Sequence, residues 1–144
     1  MPRLDTAALY ERAFTHTSHC VERGEYIAST ILCFGLHEGM AYAMYSIVRG
    51  AGDRFKLLAT LNMNWTGDQA VRMWKARCGV VHSFGHRGNA NLLEPTEEKG
   101  LQHLAIEKGQ IIVRPDKYLA ELKNVFDMND VRESIASARQ FKSK

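Results

Sequence analysis

Apolar residues recur at spacings of three and four along most of this 144-residue chain, the period of helices that bury one face. Asp5 or Thr6 can cap a first helix running to about Arg23, with Leu4, Ala8, Tyr10 and Phe14 as a patchy apolar face and Gly24 at its end. The next segment, about Glu25 to Arg49, is apolar nearly all round, as expected of a helix at the centre of a bundle. Its Gly35 and Gly39 share a face, open to close approach by a local neighbour or by a second copy of the chain. Gly50-Ala51-Gly52 reads as a turn, and Asp53 as the cap of a short helix through about Asn62. Thr66 or Asp68 caps a fourth helix, where Val71, Trp74, Cys78 and Val81 read as the buried face.

From Gly85 to Gly100 the periodicity stops and the chain is expected to form a loop. Leu101 to Ile106, a turn at Glu107-Lys108-Gly109-Gln110 and Ile111-Ile112-Val113 read as a small β-hairpin. Pro115-Asp116 opens a further helix with Tyr118, Leu119, Leu122 and Val125 apolar. Asp127 or Asn129 caps a last one that ends in the basic tail Arg139 to Lys144. The expected fold is mainly α: one domain over residues 1–144, a bundle of five to six helices with a hairpin near residues 101–113. Its helical core covers about 5–85, the loop 85–100, and the hairpin with the C-terminal helices 101–141.

Composition sharpens this picture. A chain of 144 residues buries roughly two thirds of its unfolded surface, so a core needs no disulfides. Cys20, Cys33 and Cys78 form neither an even set nor a CxxC pair, and read as free thiols of a reducing, cytoplasmic setting. Met1 to Asp5 has no apolar signal region. Tyr26 to Val48 comes nearest to a membrane span, but it places His37 and Glu38 at mid-depth, where a charge costs about 2.5–3.5 kcal/mol on insertion scales. A membrane is therefore not expected as a partner. The net charge of +3 permits nucleic acid without demanding it. Trp65 and Trp74 read as core anchors, with base stacking as the alternative for Trp65 beside Asn62 and Asn64.

The residues with chemistry to offer stand in Arg77-Cys78-Gly79-Val80-Val81-His82, near the end of the fourth helix. Five steps of ideal helix rotate by about 500°, leaving Arg77 and His82 about 140° apart. Two routes can bring them together: a last turn loosened at Gly79, or pairing of two chains across a shared cleft. Histidine near its ordinary pKa can take a proton from a ribose 2′-hydroxyl or return one to the leaving oxygen. Arginine offers a two-pronged charge to a phosphodiester and its transition state. Ser83, His86 and Arg87 could add weak RNA or phosphate contacts. A metal reading starts from His82 and His86, four apart, and His16 and His19, three apart. Neither an HExxH nor a Glu-x-x-His pattern supports it, so neither metal nor cofactor is expected.

An arginine and a histidine at the end of a helix, preceded by Phe55-Lys56-Leu57-Leu58 and Val71 to Trp74, resemble the HEPN superfamily, named for higher-eukaryote and prokaryote nucleotide-binding domains. The resemblance covers about residues 25–85. It implies a cytoplasmic homodimer with the motif helices facing each other. It also implies a metal-independent endoribonuclease of toxin or phage-defence type that leaves 2′,3′-cyclic phosphate ends. In that reading Arg77 and His82 are catalytic, and an antitoxin or other protein is the partner. Cys78 stands where ribonuclease members commonly carry a polar residue. The alternative is a non-catalytic binding or adaptor module, or a phage or host regulatory protein, on the same fold. The two readings part at this pair. Joint presentation at an accessible helix tip serves the first, whereas His82 sealed in apolar packing, or Arg77 tied to an acidic side chain on the far side of its helix, leaves the second.

Overall fold

The computed structural model describes residues 5–83, 90–92 and 100–142, all with their side chains except 82, 83, 91 and 138–142. Six helices and a small sheet make up these residues: α1 (Thr6–Glu22), α2 (Tyr26–Met44), α3 (Ala51–Asn62), α4 (Gly67–Ser83), β1 (Ala90–Leu92), β2 (Ile106–Glu107), β3 (Gln110–Val113), α5 (Pro115–Phe126) and α6 (Asn129–Lys142). The mainly α fold expected from the sequence is the one observed. Among the described residues, no helix is long and apolar enough to cross a membrane.

Local chemistry explains most boundaries. Asp5 accepts the Ala8 N–H at 2.8 Å and so caps α1, and Gly24, at φ 73°, ends it. Helix α2 stops at Met44, short of the expected Arg49. Tyr45 leaves helical geometry at φ −126°, and its hydroxyl donates to Asn62 Oδ1 at 2.6 Å. Thr66 and Gln69 cap α4 reciprocally: the Gln69 N–H reaches Thr66 Oγ1 at 3.1 Å, and the Thr66 N–H reaches Gln69 Oε1 at 2.9 Å. Pro115 opens α5 at a position that needs no amide donor.

Helix α2 is the hub, packed against α1, α3, α4, α5 and α6. Phe34 and Met40 from α2 meet Phe55 and Leu58 of α3, Met73 of α4, and Tyr118, Leu122 and Phe126 of α5, all fully buried. Two details of α4 correct the sequence reading. Val71 and Val81 are exposed, and Trp74 and Cys78 are half-buried. The face against the core is instead Ala70, Met73, Ala76 and Val80.

The sheet also departs from expectation. The hairpin turn falls at Lys108-Gly109, both at positive φ, as a tight hairpin requires. However, β2 is only Ile106–Glu107. Leu104 sits at φ 72°, yet its N–H donates to the Ile112 carbonyl and the Ala105 carbonyl accepts the Ile112 N–H, both at 2.8 Å. These two residues therefore bulge while staying bonded to β3, and the Arg114 side chain holds the Leu101 carbonyl before them at 3.1 Å. A third strand lies where a loop was expected. β1 pairs in parallel with β3, Ala90 opposite Ile111 and Leu92 opposite Val113, giving the order β1-β3-β2. Ile111, Ile112 and Val113 of the central strand are all buried.

Candidate functional site

Arg77 lies on α4 beside the core face, and its surroundings begin with a close helix contact. Gly52 of α3 lets the Trp74 indole approach so tightly that a Cβ there would stand 2.8 Å from Nε1. Phe55 fixes the same indole at 5.3 Å between ring centroids. The anchored ring offers its face to Arg77, whose guanidinium carbon lies 5.0 Å from the centroid. Across the helix interface, Arg77 Nε donates to Glu38 Oε2 at 2.9 Å, and Nη2 lies 2.9 Å from Glu38 Oε1. This is a two-pronged carboxylate pair with side chains only 19% and 23% exposed. Burial pulls the Arg77 pKa down, but the hydrogen bond and charge of Glu38, with a smaller contribution from Cys78, hold it above the ordinary guanidinium value.

Helix α4 continues without a break to Ser83. Gly79 does not loosen its last turn, so the backbone positions of Arg77 and His82 keep the separation of about 140° given by ideal geometry. The side chains of His82 and Ser83, and all of His86 and Arg87, lie outside the described residues. Thus Arg77 is held by Glu38, while the side chain of its expected partner His82 lies outside the described residues. Among the described residues, no three His, Cys, Asp or Glu side chains are grouped to hold a metal ion.

Two polar clusters escaped the sequence reading. His37 is fully buried on α2, its ring stacked on Phe55 at 3.6 Å and 7°. Nε2 lies 2.9 Å from the Phe55 carbonyl oxygen and Nδ1 lies 2.7 Å from the Tyr118 hydroxyl. A carbonyl only accepts, so Nε2 carries the proton and Nδ1 accepts from Tyr118. Burial lowers the His37 pKa to about 3, against a smaller opposing effect of the Phe55 carbonyl. The neutral ring is therefore a structural core group.

The second cluster fastens the hairpin to α5. Trp65 Nε1 donates to Glu121 Oε2 at 2.9 Å, and the Arg114 N–H donates to His103 Nδ1 at 3.0 Å. His103 Nε2 lies 3.0 Å from Glu121 Oε1, close but poorly directed for a hydrogen bond. Both nitrogens of His103 face protein groups and its side chain is 7% exposed, so this too is architecture. The sequence hint for the first cluster and for the Arg77 partner was the same: His37-Glu38 inside an otherwise apolar helix, where buried polar groups need partners.

The chain matches no family model, no curated protein and no solved structure.

Proposed function

We propose that this chain acts by binding, as a non-catalytic helical module on an HEPN-like fold, with Arg77 serving as a strut between α2 and α4. The observation that carries this reading is the Arg77–Glu38 pair. A guanidinium whose two prongs already meet a carboxylate in a mostly buried interface is not offered to a phosphodiester. Taking it from Glu38 would leave a half-buried carboxylate without its partner, at a cost below the roughly 3–5 kcal/mol of a fully buried pair. The mild net charge of +3 agrees with a partner other than RNA. Incubating RNA with the protein in EDTA and mapping the end groups tests this directly. The expected result is the same ends as in buffer alone, with RNA retention that does not fall steeply with salt. New 2′,3′-cyclic phosphate ends that vanish in both Arg77→Ala and His82→Ala would overturn it.

One observation favours the endoribonuclease as a second reading. Because α4 runs unbroken to Ser83, His82 occupies its last turn, where the helix dipole stabilises an imidazolium. That reading requires Glu38 to release Arg77 and a second chain to complete the pair. It would bring with it the toxin or defence role, the RNA substrate and an antitoxin-like partner.

A further inference from the structure

Every exposed residue of α2 is uncharged: Ile27, Ala28, Leu32, Gly35 and Tyr42. A helix face turned to water normally carries charge, so this stripe calls for a cover. It extends beyond the helix to Ile47, which is 96% exposed. Ten large hydrophobic residues are exposed among those described, and Leu9, Ile27, Leu32, Tyr42 and Ile47 of this one face make up half of them. Such concentration marks an interaction surface.

We propose that a second copy of this chain covers the face, with the two α2 helices antiparallel about a two-fold axis at Gly35. Gly35 is the middle residue of Tyr26–Met44, and nothing lies within 4 Å of where its Cβ would stand. Another backbone can therefore come close there. The face is also self-matching about that point. Counting outward from Gly35, Ile27 of one copy meets Ala43 of the other, in a groove with Tyr42, Ala43 and Ile47 on one side and the polar edge of α6, with Asp130 and Glu133, on the other. Ile31 of one copy comes to the Gly39 level of the other, where Tyr10 covers Gly39, and Leu32 comes to that of Glu38, whose carboxylate is held by Arg77. Ile27, Ala28 and Ile31 of each half thus face Ala43, Tyr42 and Gly39 of the other, which an isologous contact satisfies twice.

The size lies at the lower end of specific interfaces, where two copies together need to bury about 1,000 Å². A 19-residue helix is about 28 Å long. With the flanking edges of α1 and α6 it offers a footprint of roughly 500–600 Å² per copy, or roughly 1,000–1,200 Å² for the pair. This interface differs from the one the HEPN resemblance implies, in which the α4 helices face each other. It holds whether or not the chain cleaves RNA.

Sedimentation of the full chain from about 1 to 100 μM, with three variants, tests the proposal. The parent is expected to dimerise. Ile27→Glu and Leu32→Glu, both at exposed positions, are expected to keep the helical circular dichroism while weakening the dimer by about tenfold or more. Gly35→Cys is expected to form a disulfide-linked dimer under mild oxidation that the parent, with its own cysteines, does not form, since pairing needs Cα atoms within about 7 Å. A parent that stays monomeric throughout would overturn the proposal, including one that binds lipid vesicles instead. So would a dimer indifferent to Ile27→Glu, or the lack of a Gly35→Cys crosslink.

Discussion

An imidazole stacked on Phe55, with one nitrogen donating to a backbone carbonyl and the other accepting from Tyr118, is fully buried where a second proton would bring an unpaired charge. Protonating Nδ1 would reverse the Tyr118 hydrogen bond, making the hydroxyl the acceptor, and bury a charge. The consequence for stability has a definite sign. The unfolded chain takes up this proton around pH 6.5, whereas the folded chain resists it down to about pH 3. Over that window the unfolded state binds more protons. The stability His37 contributes is complete above about pH 6.5 and falls as the pH drops, by up to about 1.4 kcal/mol per unit. Denaturant midpoints measured across this range are expected to fall more steeply for the parent than for His37→Gln, and parallel curves would reject this account of the residue. Nothing near position 37 announced these partners, because Tyr118 lies 81 residues further along the chain.

At the scale of elements, the helices were legible because caps and periodicity act locally: Asp5, Thr66 and Pro115 sit where their helices begin. Which face of α4 is buried was less legible. Ala70 and Ala76 form part of the true core face, and their small size makes it look weakly apolar beside Val71, Trp74 and Val81. Close helix approach selects such small residues, and that selection depends on the neighbour. The strand β1 was illegible for a similar reason, since its three residues gain their hydrogen bonds only from the distant β3. The two glycines of α2 show the same dependence on surroundings. A Cβ at Gly39 would strike the Tyr10 hydroxyl, whereas one at Gly35 meets open space. Tyr10 is itself stacked on Phe126 at 5.8 Å and cannot give way freely. Gly39→Ala is therefore expected to destabilise the chain by about 1–2 kcal/mol. Gly35→Ala, at concentrations where any dimer is dissociated, is expected to stabilise it by roughly 0.5–1 kcal/mol. Urea unfolding of both variants checks the contrast, which equal effects would refute.

For the whole molecule, α2 unites what the functional reading needs. Its inner faces hold the core, its Glu38 ties down Arg77 of α4, and its outer face is apolar and open. The sequence made Arg77 and His82 visible as a candidate pair, but not the carboxylate 39 residues away that binds the arginine. Position along one helix can be read from spacing, while a contact between helices requires the fold. The assignment of Arg77 to structure is tested most directly by a double-mutant cycle on the unfolding free energy, using Arg77→Met, Glu38→Gln and both together. A coupling of about 1–3 kcal/mol is expected, each single change costing more than it does once its partner is gone. Additive effects, with Arg77→Met leaving stability unchanged, would contradict it and return the guanidinium to the list of groups free to meet a phosphate.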